Sequence, residues 1–142
     1  MPAECRVIDY SDQYPLRTAV LGQAAGPKPG DDAPDTLHVG VYIDGRLVSI
    51  ASVYHEPPPD STDAGAWRLR GMATLPDAQG KGYGRLALSR CIDHVRASAG
   101  TRIWCNARAG AVDFYRALGF SVRADAQDVP GHGLRYYCER PV

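Results

Sequence analysis

Paired cysteines, a net charge and long apolar runs are all missing from this chain of 142 residues. Its four cysteines, Cys5, Cys91, Cys105 and Cys138, stand far apart, with no C-x-x-C pair and no histidine at ligand spacing. That pattern excludes the common zinc sites and a disulfide framework; free and mostly buried thiols are expected, and no metal. Sixteen basic side chains balance sixteen acidic ones, so nucleic acid is not expected as a bulk electrostatic partner. No apolar stretch approaches the roughly 20 residues that cross a bilayer. The opening Met1-Pro2-Ala3-Glu4 has neither the basic start nor the apolar stretch of a secretion signal, and a cytoplasmic protein without membrane contacts is expected. Neither G-x-G-x-x-G nor G-x-x-x-x-G-K-[ST] occurs, and there are no internal repeats. The length fits one domain over 1–142, able to bury about two-thirds of its unfolded surface.

The zero sum hides an asymmetry. Residues 1–66 carry ten acidic and four basic side chains, whereas residues 67–142 carry six and twelve. The second half would suit an anionic cofactor and the first a cationic, amine-bearing substrate; ordinary solvated surface charge gives the same count.

Periodicity orders the elements. Residues 4–9 alternate as a short strand, and Ser11 or Asp12 can cap a helix with Leu16, Ala19 and Val20 on one face and Gly22 at its end. Residues 22–35, rich in Gly, Pro and Asp, read as a loop with almost nothing to bury. Alternating apolar residues over 37–43 and 46–54 flank Asp44-Gly45, which predicts a tight hairpin. Three prolines open the loop 56–65, and residues 67–75 form the next strand. Leu88, Cys91, Ile92, Val95 and Ala99 then make one helical stripe, stopped by Gly100. A short apolar strand over 102–106, a helix over 109–118 capped by Gly119, and strands over 121–125 and 134–139 around a turn at 130–133 complete the chain. The order predicts a mixed sheet with helices on its faces, an α/β (α+β) fold.

Between the strand over 67–75 and the helix after it lies Gln79-Gly80-Lys81-Gly82-Tyr83-Gly84-Arg85. Glycine at alternate positions strips side chains from this backbone and bares its amides at a helix start, where unpaired N–H groups and the macrodipole attract anions. Lys81 and Arg85 add fixed positive charge. A flexible turn that tolerates positive φ explains the glycines alone equally well.

With Pro76 ahead of it, this segment resembles the Q/R-x-x-G-x-G/A motif of the Gcn5-related N-acetyltransferase (GNAT) family. Ile103-Trp104-Cys105-Asn106 resembles that family's strand ending in Asn, and residues 111–120 resemble its A-x-x-F-Y-x-x-L-G-F helix. The resemblance covers residues 67–120 and implies the acyl-CoA N-acyltransferase fold, a mixed, strongly twisted sheet flanked by helices whose strands at 67–75 and 102–106 splay apart. It implies acetyl-CoA as cosubstrate and acetyl transfer to an amine-bearing acceptor, small molecule or protein. Backbone groups of Met72, Ala73 and Thr74 would pair with pantetheine and the acetyl carbonyl, residues 79–85 (Gln79, Gly80, Lys81, Gly82, Tyr83, Gly84, Arg85) would hold the pyrophosphate, and Asn106 would bond pantetheine. Tyr115 matches the tyrosine that donates a proton to the departing thiolate; read from spacing alone, it is an aromatic on the helix's buried face. Many relatives place a Glu on the strand before the glycine turn, but here Arg68-Leu69-Arg70-Gly71-Met72 carries no carboxylate. His38, His55, Glu56 and water are the candidate bases. Arg70 is either an outward-facing strand residue or a partner for a carboxylate on the acceptor. The missing carboxylate also leaves room for a non-catalytic acyl-CoA sensor. Exposed strand edges at the chain's end suit a homodimer.

Overall fold

The computed structural model describes residues 2–22 and 27–142, so part of the loop expected over 22–35 lies outside the described residues. Strands β2 (Leu37–Ile43) and β3 (Arg46–Tyr54) form the expected hairpin. Asp44 and Gly45 both take positive φ, 51° and 78°, the turn geometry that matches the twist of paired strands. Strand β1 (Glu4–Val7) pairs antiparallel with β2, and β4 (Ala66–Thr74) lies antiparallel on the far side of β3. After helix α2 (Tyr83–Ala97), β5 (Arg102–Ala107) runs parallel to β4. Helix α3 (Val112–Ala117) and strands β6 (Ser121–Val122), β7 (Gln127–Val129) and β8 (Gly133–Pro141) complete the sheet in the order β1-β2-β3-β4-β5-β8-β6, with β7 hydrogen-bonded to β8.

Several details differ from the sequence reading. The helix expected over 109–118 begins as a 3-10 turn, Ala109–Ala111, and the strand expected over 121–125 shrinks to two residues. The third strand of the end region, β7, carries no periodic signal in its three residues. The last strand is not an edge: β8 inserts between β5 and β6. Helix α2 ends at Ala97, and Ala99, not Gly100, holds the left-handed position at φ 61°. Gly100 is needed for close approach, since a Cβ there would meet Val95 at 2.4 Å and Trp67 at 2.8 Å.

The helices occupy opposite faces. Leu88, Cys91, Ile92 and Val95 of α2 pack on Val39, Val53, Leu69, Ile103 and Cys105 in one core, where each full burial of a Leu or Ile side chain contributes about 1.5–3 kcal/mol. Helix α1 (Tyr10–Leu21) lies on the other face, with Leu16 against Ile50 and Ala73. Its N-cap is Asp9, which accepts from the Ser11 amide, not Ser11 or Asp12. Its buried face is Gln13, Leu16 and Arg17, while Ala19 is exposed. Gln13 donates to the carbonyls of Val39 and Ala51 at 3.0 Å and accepts from Arg17 and Ser52. Arg17 in turn grips Asp31, a loop residue that is buried, contrary to the expectation that this loop buries almost nothing.

Strands β4 and β5 pair only from Ala66↔Arg102 to Arg68↔Trp104. Beyond that point β4 bends: its register against β3 slips between Ile50 and Ser52, so that Gly71 and Met72 together face one partner residue. Gly71 sits at φ 64°, which a bulge of this hand demands of its first residue. The two strands splay, as the family resemblance implies.

Candidate functional site

Where β4 and β5 part, a cleft of about 350 Å³ opens between them, walled by residues 69–74 and 105–108. Beyond Arg68, β4 has no strand partner on its cleft side among the described residues. Backbone polar groups in that position need water or a ligand. Of the residues singled out in the sequence, the cleft gathers Met72, Ala73, Thr74, Gln79, Asn106 and Tyr115.

The glycine turn follows directly. Pro76–Ala78 forms a 3-10 turn whose Ala78 is buried, and the Gln79 side-chain Nε2 donates to the Thr74 carbonyl at 3.2 Å, closing the bend. Gly80 and Gly82 take φ 77° and 87°, with open space where a Cβ would stand. Gly84 serves packing, since a Cβ there would lie 3.3 Å from Phe114. Gly82 caps α2 without any side-chain hydrogen bond. The first backbone bond into the helix runs from Leu86 to the Gly82 carbonyl at 3.1 Å, so the amides of Tyr83, Gly84 and Arg85 precede the helical ladder. Lys81 and Arg85 are exposed beside them. The turn is an open cradle of amides with positive charge at its rim, which fits a diphosphate.

Tyr115 is 7% exposed and packs edge-on against Phe114 and Phe120, with ring centres 5.2 Å away in each case. Burial, reinforced by Cys105 and Cys138, holds its pKa well above the ordinary phenol value. The hydroxyl therefore stays protonated at neutral pH. Tyr115 is a core aromatic that also lines the cleft.

None of the three side chains considered as bases reaches the cleft. His38 is buried, with Nδ1 bonded to Ser52 at 2.7 Å and Nε2 to the Asp31 carbonyl at 2.8 Å. His55 stacks on Trp67 at 4.6 Å, with both nitrogens bonded, and Glu56 pairs with Arg68 at 2.9 Å. The acidic first half of the chain thus lends the cleft no carboxylate: among the described residues its walls contain none. They do contain His132 and Arg135 from the β7–β8 hairpin and Lys28 from the loop after α1. The sequence reading missed these three, because nothing local says where a hairpin turn or a loop lysine will land. Burial and the nearby Arg135, Arg70 and Lys28 hold His132 below its ordinary pKa, so it is neutral at neutral pH. A neighbouring hollow of about 400 Å³ shares Asn106 and Val129 with the cleft and carries Asp60, Asp128 and Arg123.

No group of His, Cys, Asp and Glu among the described residues could hold a metal ion, and no described helix is long and apolar enough to cross a membrane. The four cysteines are free, although Cys105 and Cys138 face each other across β5 and β8.

The fold recurs in known proteins. The family model described as Acetyltransferase (GNAT) family matches residues 8–120. The "Uncharacterized N-acetyltransferase YitI" of Bacillus subtilis (strain 168) is 34% identical over 135 residues, covering 92% of this chain and 90% of that protein. Among solved structures, Escherichia coli ElaA superposes with a TM-score of 0.75 at 16% identity, covering 98% of this chain and 99% of the other. The putative acetyltransferase yncA of Salmonella typhimurium, solved with its cofactor acetyl-CoA, superposes with a TM-score of 0.72 at 20% identity, covering 99% and 94%. A family match over most of the chain, on a sheet that splays beside a bare glycine turn, shows that this chain belongs to the GNAT family of acetyltransferases.

Proposed function

We propose that the protein moves the acetyl group of acetyl-CoA to the primary amine of an acceptor by direct attack, with both substrates bound together. The observation that carries this reading is the cleft between β4 and β5, whose wall reaches Gln79, the residue that leads into an uncapped, glycine-lined helix start. Such a site fits an extended molecule with a diphosphate at one end and a thioester at the other.

In this reading the amides of residues 80–85, with Lys81 and Arg85, hold the pyrophosphate. The free edge of β4 at Met72, Ala73 and Thr74 aligns the pantetheine arm, and Asn106 bonds it from β5. Acetyl-CoA supplies an activated thioester: the amine lone pair forms the C–N bond, the C–S bond breaks, and one proton passes in net from nitrogen to sulfur. An N–H of β4 near Met72 or Ala73 meets the charge that develops on the carbonyl oxygen. Tyr115 donates its hydroxyl hydrogen toward the sulfur. His132, neutral and alone among the described cleft residues in titrating near neutrality, accepts the proton from nitrogen. Work in the cytoplasm suits an acetyl-CoA-consuming enzyme with four free thiols.

Two measurements test the reading. Acetyl-CoA at a hundred times its dissociation constant should add about 2.7 kcal/mol of stability, and coenzyme A should be released when a broad set of amines is supplied. No thermal response would sink it. Binding without release from any amine would favour the sensor, the reading that the absent strand carboxylate also suits.

A further inference from the structure

The cleft walls carry five cationic side chains, Lys28, Arg68, Arg70, Arg108 and Arg135, and no carboxylate among the described residues. Arg68 is neutralised by Glu56. Lys28, Arg70 and Arg135 make no ion pair among the described residues. Arg70 is half-buried, and its guanidinium carbon lies 6.0 Å from the centre of the Tyr54 ring. Burying a guanidinium without a counter-ion is costly, and such a group persists where something else supplies the negative charge. The cations crowd one another. Burial and Arg68 push Arg70 down against a smaller opposing pull from Tyr54, Glu56 and Asp31, burial, Arg70 and Arg17 push Lys28 down against Asp31, and Arg135, Arg70 and Lys28 all act on His132.

The coenzyme's phosphates do not account for them. Leu69 points into the core beneath α2, so its strand neighbours Arg68 and Arg70 face the opposite side, that of α1. Arg70 lies four residues before Thr74, across the Gly71 bulge from the end that carries the glycine turn. The cleft wall thus includes an α1 side, where Val20, Leu21 and Lys28 join Arg70. The carboxylates of the neighbouring hollow, Asp60 and Asp128, do not line the cleft.

Resting on the acetyltransferase reading, we propose that the acceptor amine carries an anionic group, a carboxylate or a phosphate, held on the α1 side of the cleft by Arg70 with Lys28 and Arg135. This reverses the expectation from the charge asymmetry of the chain, which pointed to a cationic acceptor. The same field disfavours an ammonium and favours the neutral amine that must attack, while the anion anchors the molecule.

Amines differing only in the anion test this: lysine against cadaverine, β-alanine against propylamine, and phosphoethanolamine against ethanolamine, each with acetyl-CoA. The anionic member of at least one pair should be used with about tenfold or higher kcat/KM, and the pair that responds separates carboxylate from phosphate. Arg70→Gln should abolish the preference by raising KM for the anionic member while leaving the acetyl-CoA dissociation constant unchanged. Arg70→Lys should restore part of it, and Lys28→Ala, in a loop, gives a second reading with less risk to folding. Equal use within every pair, a preference for cadaverine over lysine, or equal slowing of both members by Arg70→Gln would overturn the inference. If no amine is turned over, calorimetric titration of β-alanine and phosphoethanolamine into the coenzyme A-bound protein decides. Binding lost in Arg70→Gln supports the proposal, and no binding overturns it while the cofactor reading stands. A protein that does not bind coenzyme A at all fails the acetyltransferase reading and this inference with it.

Discussion

Arg17 of α1 holds Asp31 of the following loop by two hydrogen bonds, 2.9 and 3.1 Å long, with the side chains 0% and 3% exposed. Burial alone would raise the Asp31 pKa. Hydrogen bonds from Arg17, Tyr54 and the Lys28 amide outweigh it and hold the carboxyl at about 2, against an ordinary 3.8. The depressed value means that this group stabilises the fold above the unfolded pKa, and that the contribution, about 2 kcal/mol, is lost as pH falls from near 4 through 2. Asp31→Asn removes the carboxylate from beside the buried Arg17 and should cost about 3–5 kcal/mol near neutrality. Urea unfolding of both proteins should show the gap narrowing below pH 4; a gap independent of pH would show that the pair does not titrate as argued.

Gly82 caps α2 at a φ of 87°. Gly82→Ala should strain this turn and weaken acetyl-CoA binding by about tenfold or more. Gly110, with open space around it and no positive φ, is the control. Thermal-shift titration of the two variants reads the difference, and equal affinities would remove the turn from the cofactor site.

Tyr115→Phe keeps the ring contacts with Phe114 and Phe120 and removes only the hydroxyl. Turnover should fall by about a hundredfold while the acetyl-CoA dissociation constant stays put. Because the Tyr115 pKa is raised by burial, wild-type activity should show no alkaline loss from its ionisation at or below the ordinary phenol value.

His132 must be neutral to accept a proton, and its pKa lies below the ordinary histidine value. On the acid side, log kcat/KM should therefore climb with a slope of about two, one proton from the amine and one from His132, and in His132→Gln with a slope of about one. An unchanged profile would leave solvent as the base.

Ala99 ends α2 in the left-handed conformation, φ 61°, and is exposed. Ala99→Gly should relieve about 1 kcal/mol of strain and raise Tm by roughly 3 °C. Calorimetry showing a lower Tm would place the strain elsewhere.

The hairpin, the α2 stripe and the glycine turn were legible because each rests on local chemistry: alternation around Asp44-Gly45, apolar spacing of 3.6, and side-chain-free backbone at a helix start. Helix α1 misled for the same reason. Its buried face is Gln13 and Arg17 beside Leu16, and polar residues go inside only when distant partners satisfy them, here Val39, Ala51, Ser52 and Asp31. The candidate bases from sequence, His38, His55 and Glu56, beside water, line no wall of the cleft, because their partners lie elsewhere in the chain.

By itself the amino-acid sequence determined the family, the splayed α/β scaffold, the amide cradle at Gly80 to Arg85 and the position of Tyr115, since all lie within contiguous motifs. Only the tertiary structure decided which charges share the cleft. Lys28, Arg70, His132 and Arg135 come from a loop, a strand and a hairpin spread over most of the chain, and they share one cleft only once the bend at Gly71 and the β7–β8 pairing have formed.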